Sequence, residues 1–196
     1  MSQQRLLGSR IAGGNTAYNR VESDYYPTPP EVTEALLHEL ELPSGTRIWE
    51  PACGEGHMAN VFKAHGLAVT ATDIQDQGYG VGGTDFLTTE PVECDWIITN
   101  PPFSLAEQFI RRCAEMNKPF ALLLKSQYWH ARSRMPLFRE CQPTLVLPLT
   151  WRPDFLFKKR GGGSPLMDCI WCVWDGSATK TAFRPIAKPS VKEARP

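Results

Sequence analysis

Short apolar runs alternate with helical patterns along most of this chain, and no other sequence feature limits the fold as strongly. The strand candidates are 46–50, 68–73, 95–99, 120–125, 144–149 and 168–174, and the helix candidates are 30–41, 56–65, 104–117 and 129–141. Near-continuous apolar strands are typical of sheets that are buried on both faces. We therefore predict an α/β fold in which helices cover both faces of a mostly parallel sheet.

The segment between the last two strand candidates, residues 150–165, reads "TWRPDFLFKKRGGGSP" and has no helical pattern. Without a crossover helix, these two strands can pair antiparallel at one edge of the sheet. The sequence predicts a flexible N-terminal segment over 1–23, one domain over 24–176 and a basic C-terminal tail over 177–196.

Composition and charge narrow the class of protein. The sequence has no stretch of 18 apolar residues and no apolar region at its N-terminus. We therefore expect no membrane span and no signal peptide, and we expect a cytoplasmic location. Six scattered cysteines predict reduced core thiols, and the lone CxxC spacing of Cys169 and Cys172 does not predict a metal site.

The net charge is zero, but the charges are unevenly placed. Residues 1–90 hold 12 acidic and 5 basic side chains, whereas residues 125–160 hold 8 basic and 2 acidic ones. A concentrated basic region is a possible footprint for a polyanion, and a solvated basic face is the alternative.

Acidic residues and glycines follow the first predicted strands. Glu50 ends the first strand, Gly54 and Gly56 form the next loop, Asp73 ends the second strand, and Asp85 follows later. The carboxyl ends of parallel strands meet in one crevice, which is where open α/β sheets bind ligands. Acids disfavour a pyrophosphate but suit a cationic nucleoside with free hydroxyls, and S-adenosylmethionine fits this description. A tight turn without a ligand is the alternative for the glycine loop.

Five short motifs carry a resemblance to a known family. They are "YPTPPEV" (26–32), "EPACGEG" (50–56), "TDI" (72–74), "TDFL" (84–87) and "NPPF" (100–103). In this order they resemble the gamma-type N6-adenine DNA methyltransferases, and they are similar to solitary phage- and prophage-borne members. The resemblance covers 24–174 and implies a Rossmann-like class I S-adenosylmethionine-dependent methyltransferase fold.

The resemblance also implies which residues hold the cofactor. These are Tyr26, Thr28, Pro29, Glu50, Ala52, Gly54, Gly56, Asp73, Ile74, Asp85 and Phe86. Thr28 and Pro29 would close over the methionine end, Asp73 would accept from the ribose hydroxyls, and Asp85 would accept from the adenine amine. A proline-initiated helix is the structural alternative for the Thr28 segment.

The NPPF motif suits methylation of an exocyclic amine. The lone pair of adenine N6 is delocalised into the ring, so hydrogen-bond acceptors that orient N6 and stabilise its developing charge assist the transfer. Asn100 offers a side-chain carbonyl, Pro101 and Pro102 fix a backbone carbonyl, and Phe103 offers a stacking surface. The alternative is a proline corner in which Asn100 caps a helix.

The target base must leave a duplex to reach such a site, and a second aromatic ring would cover its other face. Phe155 is the first candidate for that ring, followed by Phe157 and Trp151. The predicted phosphate contacts, which are basic residues, are Lys125, Arg132, Arg152, Lys158, Lys159 and Arg160. His130 fits a surface position or a phosphate contact better than a general base.

The predicted substrate is double-stranded DNA, and no nuclease motif is evident. We expect no separate target-recognition region after the last predicted strand, so either the basic loop reads a short site or a homodimer reads a symmetric one. The alternatives are methylation of RNA, methylation of a glutamine side chain in protein, and a non-catalytic nucleic-acid-binding subunit.

Overall fold

The computed structural model describes residues 26–155, 165, 167–177 and 179–190. The helices are α1 (Pro30–Leu40), α2 (His57–Ala64), α3 (Ala106–Glu115) and α4 (Met135–Glu140). The strands are β1 (Arg47–Glu50), β2 (Ala68–Ala71), β3 (Trp96–Thr99), β4 (Phe120–Lys125), β5 (Leu145–Pro148), β6 (Cys169–Trp174) and β7 (Ala182–Phe183).

These strands form one sheet in the order β2-β1-β3-β4-β6-β5-β7. Strands β1 to β4 are parallel, β7 is parallel to β5, and β6 runs antiparallel to both β4 and β5. The predicted mostly parallel α/β sheet is confirmed. The last two strand candidates were predicted to pair antiparallel, and the pairing of β5 with β6 confirms this, although β6 does not lie at the edge where it was expected. All six residues of β6 are buried and pair with β4, so the strand lies inside the sheet.

The segment predicted as a C-terminal tail contributes to the sheet. Ala182 and Phe183 pair with β5, and Ile186, which is 4% exposed, forms a bridge with Leu149. The predicted boundary at residue 176 is therefore too early, because an apolar side chain beyond it joins the core. The predicted flexible segment over 1–23 lies outside the described residues.

The core has one layer on each face of the sheet, as the apolar strands predicted. Adjacent strand residues point to opposite faces, so Ile97 and Ile98 enter different layers. Ile98 packs in the layer that contains α1 and α2, whereas Ile97 packs in the layer that contains α3. Because helices cover both faces of the sheet, a ligand can approach the sheet only at the two ends of its strands.

Two predicted helices differ in their bounds. The helix predicted over 104–117 is α3, which begins at Ala106 with no side-chain cap and ends at Glu115. The region before α4 forms two short 3-10 turns over Ser126–His130 and Arg132–Arg134. Within the part of the chain that the structure describes, no helix is long and apolar enough to cross a membrane.

Candidate active site

The carboxyl ends of β1, β2 and β3 meet at one edge of the sheet and form a cleft. Most of the predicted site residues line it, namely Tyr26, Thr28, Glu50, Ala52, Asp73, Ile74, Asp85, Phe86, Asn100 and Pro102. The parallel pairing of β1 with β2 and β3 explains this meeting, because it brings the residues that follow each strand to the same side.

The side chain of Asn100 is fixed by two hydrogen bonds. Its Nδ2 donates to the Tyr26 carbonyl at 3.1 Å and to the Thr28 Oγ1 at 3.0 Å. A backbone carbonyl can only accept, so the amide nitrogen must face Tyr26 and the amide orientation is determined. Thr28 therefore positions Asn100, a role that the sequence did not suggest because the two residues are 72 positions apart.

The other end of this amide is an acceptor that no neighbour uses. Asn100 Oδ1 is shielded from solvent and has no hydrogen-bond partner among the described residues. An unsatisfied buried acceptor costs about 1–3 kcal/mol, so a fold that keeps one at the edge of a cleft has an acceptor ready for a ligand donor.

Glu50 is the most deeply buried acid in the described cleft, with 2% of its surface exposed. Burial raises the pKa of its carboxyl well above the usual value, a backbone hydrogen bond from Ala59 opposes this, and the nearby charge of Asp73 adds to it. The Oε2 atom has no hydrogen-bond partner among the described residues. A cation that enters the cleft would remove the cost of ionising this group.

Asp73 links the first two loops of the site. Its Oδ2 accepts from the Gly54 backbone N–H at 2.8 Å, and its Oδ1 accepts from the Gln75 N–H at 2.9 Å. These bonds hold the carboxylate at the cleft while each oxygen keeps a further lone pair for a hydroxyl donor. Asp85 is held in the same way, because its Oδ1 accepts from the Leu87 N–H at 2.9 Å.

Gly56 does not line the cleft, although the sequence assigned it to the cofactor. It adopts φ of 79°, and a Cβ at this position would lie 2.5 Å from the ring of Tyr79. The glycine is therefore required by the packing of the loop that follows Asp73. Gly54, Pro29, Pro101 and Phe103 also lie outside the cleft lining, but Gly54 holds Asp73 as described above.

Phe155 was predicted to cover the second face of a target base, and its position in this structure is not suited to that. It is 4% exposed and packs in the core, with its ring edge-on to Tyr26 at 6.0 Å. The ring of Tyr26 also contacts the ring of Phe103, with 5.6 Å between the centroids. Tyr26 is therefore an aromatic neighbour of Phe103, and Phe155 packs against Tyr26. The other candidate, Trp151, is half-buried against the same core layer.

The predicted DNA contacts have different surroundings. Lys125 lies over the Phe103 ring, with Nζ 4.2 Å from the centroid. Arg132 is exposed, and Arg152 forms an ion pair with Asp168 at 2.7 Å in which both side chains are about half exposed. The candidates Phe157, Lys158, Lys159 and Arg160 lie outside the described residues.

Several cleft residues were not predicted, among them His57, Met58, Gln75, Gln77, Leu105 and Phe109. His57 and Met58 follow the glycine loop directly, so their place in the first turn of α2 was the available signal. In the described part of the chain, no group of three or more His, Cys, Asp or Glu residues could hold a metal ion.

No family model matches the chain. An alignment 89 residues long covers 40% of this chain and 21% of the Type II methyltransferase M.TthHB8I of Thermus thermophilus, at 35% identity. An alignment 82 residues long covers 38% of this chain and 28% of an S-adenosyl-L-methionine-dependent Diels-Alderase of Talaromyces variabilis, at 34% identity. The matches thus span about a quarter of the length of these curated relatives.

Solved structures match nearly the whole chain. A proposed RNA methyltransferase from Pyrococcus horikoshii superimposes with a TM-score of 0.63 over 88% of this chain and 98% of that one, at 14% identity. A proposed class I S-adenosylmethionine-dependent methyltransferase from Listeria monocytogenes gives 0.62 over 95% and 72%, also at 14% identity. This chain has the class I methyltransferase fold.

A third structure agrees with this assignment of the fold. The modification subunit of a proposed type I restriction enzyme from Vibrio vulnificus superimposes with a TM-score of 0.60 over 96% of this chain and 52% of that one, at 14% identity. All three structures match the fold at 14% identity, and they support the fold of this chain alone.

Proposed function

We propose that this chain transfers a methyl group from S-adenosylmethionine to N6 of adenine in DNA. The observation that carries the proposal is Asn100, whose Oδ1 is a buried acceptor without a partner among the described residues at the end of β3. The amide cannot rotate to offer its nitrogen instead, because Tyr26 and Thr28 hold that nitrogen. An exocyclic amine is a donor that this acceptor can orient.

The residues of the cleft fit S-adenosylmethionine. Glu50 offers a carboxylate with an unpartnered Oε2, which suits the ammonium of the cofactor, and Asp73 offers oxygens for ribose hydroxyls. Asp85 would accept from the adenine amine of the cofactor. When bound, the cofactor supplies an electrophilic methyl group on a sulfonium. The Talaromyces relative is also named as S-adenosyl-L-methionine-dependent.

The chain's own residues would act by orientation and charge stabilisation. Asn100 Oδ1 and the Pro101 carbonyl would accept the two hydrogens of N6, which turns the nitrogen lone pair toward the methyl group. Both acceptors would stabilise the positive charge that develops on nitrogen during transfer. Neither acceptor needs to ionise, and no protein nucleophile or early general base is required, because N6 would pass its extra proton to water after the transfer.

DNA is the proposed substrate because three features support it together. The NPPF motif resembles that of adenine-specific DNA methyltransferases, and the Thermus relative is a Type II methyltransferase. The basic region over 125–160 would supply phosphate contacts. Extrusion of the target base and assembly as a homodimer are part of the same proposal.

The decisive experiment is transfer of a labelled methyl group. Purified protein is incubated with S-adenosylmethionine carrying a tritiated methyl group and with adenine-containing duplex DNA, RNA or protein in parallel reactions. Digestion of the products then identifies the labelled residue. We expect the label at N6-methyladenine in DNA. Label in RNA or in glutamine alone would refute DNA as the substrate, and absence of label in every reaction would favour a non-catalytic subunit.

Asn100→Ala tests the role of the amide directly. Loss of one preorganised hydrogen-bonding group typically lowers turnover by about 100- to 1000-fold. Cofactor affinity, measured by calorimetry, should change little, because Asn100 is proposed to contact the base. The exposed amide Gln108 on α3 provides the matched control, and Gln108→Ala should leave both quantities unchanged. An equal loss of cofactor binding in Asn100→Ala would assign Asn100 to the cofactor site.

A further inference from the structure

Lys125 ends β4 and lies beside the turn that carries Asn100 and Phe103. Strands β3 and β4 are parallel, with Thr99 paired to Leu122, so their carboxyl ends are neighbours. The Lys125 Nζ is 4.2 Å from the centroid of the Phe103 ring and 5.8 Å from that of Tyr26. Lys125 is half-buried, and its ammonium has no ion pair with any carboxylate in the described part of the chain. Both rings lie within cation–π distance of the ammonium and stabilise its charge.

A base that stacks on Phe103 needs a free ring face. The centroids of Tyr26 and Phe103 are 5.6 Å apart with their planes inclined by 35°. A flat base held between two rings needs about 7 Å, because each stacked contact takes about 3.5 Å. The base therefore cannot enter between these rings as they stand, and the Lys125 ammonium covers a face of Phe103 on which a base would stack.

We propose that the Lys125 ammonium covers the Phe103 ring while no base is bound. When the target base binds, the ammonium leaves the ring and binds a phosphate next to that base. This inference rests on the proposed function. A charge-assisted contact with phosphate is stronger than a cation–π contact at a partly exposed site, so the exchange favours a base that carries a phosphate. The flexible stem of lysine allows the ammonium to move between the two positions.

The exchange would make Lys125 a specificity-determining residue. A free nucleoside or a glutamine side chain would have to displace the ammonium with no phosphate to receive it. A nucleotide within a polynucleotide brings that phosphate with it. The chain would thus favour polymeric nucleic acid over small amines before any base is read.

The test compares two probes on Lys125→Ala. Dissociation constants are measured by NMR titration for deoxyadenosine, which has no phosphate, and for a short single-stranded oligonucleotide with one adenine. Loss of the cation–π contact should tighten deoxyadenosine binding by about 2- to 5-fold. Loss of the phosphate contact should weaken oligonucleotide binding by about 10-fold. Lys125→Gln, which keeps the stem but removes the charge, should shift both constants in the same directions.

Opposite shifts in one variant separate this inference from simpler explanations. A variant that weakens both probes has a structural defect, and one that weakens the oligonucleotide alone has lost an ordinary phosphate contact; either result overturns the proposal. Lys118→Ala is the control, because Lys118 is exposed just before the other end of β4 and should shift neither constant. If the two constants shift in opposite directions but the transfer assay gives no labelled N6-methyladenine, the inference about Lys125 is supported and the proposed reaction is refuted.

Discussion

Replacement of Glu50 by glutamine should stabilise the protein in the absence of ligand. The carboxyl is buried, its Oε2 has no partner among the described residues, and Asp73 adds a nearby negative charge. These conditions raise the pKa of Glu50 above its ordinary value of 4.5. Glutamine keeps the shape and the acceptor for the Ala59 N–H but has no charge to bury.

The stability gained by Glu50→Gln has an upper limit, because the folded protein can protonate Glu50 instead of burying a charge. Protonation costs about 1.4 kcal/mol of folding free energy for each pH unit above the ordinary pKa. From 4.5 to pH 7 this limits the cost to about 3 kcal/mol. The glutamine Nε2 also lacks a clear partner, so we expect a gain of about 1–3 kcal/mol. For a domain of this size, that raises Tm by about 2–10 °C.

The dependence on pH identifies the cause. Because the pKa of Glu50 is raised in the folded state, that state binds more protons than the unfolded state above pH 4.5. The free energy of unfolding of the wild type therefore falls as the pH rises toward the folded pKa. The glutamine variant lacks this slope, so its advantage should vanish near pH 4 and grow toward pH 7. Urea unfolding between pH 4 and pH 8 measures both slopes, with the exposed Glu90→Gln as control.

The cofactor should reverse the advantage. A charged hydrogen bond contributes about 1.5–3 kcal/mol, so S-adenosylmethionine should bind Glu50→Gln about 10- to 100-fold more weakly. The variant should then gain less Tm from saturating cofactor than the wild type gains. A variant that is less stable than the wild type at every pH, or that binds the cofactor equally well, would refute this account of Glu50.

Three further substitutions test the packing around the site. Phe155→Ala should lower the free energy of unfolding, measured in urea, by about 3–5 kcal/mol, because the ring is buried in the core. A loss of DNA binding at unchanged stability would instead support the predicted stacking role of Phe155. Gly56→Ala should lower Tm, and less so in a Tyr79→Ala background that removes the clashing ring; equal losses in both backgrounds would argue against that contact. Thr28→Val should lower turnover by about 5- to 10-fold through loss of one hydrogen bond to Asn100, and Thr28→Ser should retain it; equal effects of both substitutions would contradict a positioning role.

The sequence predicted the cleft well because its residues follow apolar runs. Glu50 ends β1, Asp73 stands two residues after β2, and Asn100 directly follows β3, so the parallel sheet alone brings them together. The order of apolar and polar residues along the chain contains this information. The same reasoning predicted helices on both faces of the sheet.

The sequence could not predict contacts between distant segments. Gly56 has a positive φ and could serve a ligand or a neighbouring ring, and only the fold shows that the neighbour is Tyr79. Phe155 stands in a segment without periodicity, so nothing local distinguishes a core ring from a base-stacking one. The bonds that orient Asn100 come from residues more than 70 positions earlier, and no local pattern reports them.

The place of β6 also governs how this sheet can be assembled. β4 and β5 are made first, but their neighbour β6 comes about 20 residues after β5 and bonds to both of them. Until β6 arrives, β4 and β5 each expose an unpaired backbone edge, and exposed strand edges invite pairing with other chains. During synthesis, the growing chain therefore passes through a stage in which its apolar central strand is open on one side. That interval is when chaperones would be most needed and when truncated products would aggregate most readily.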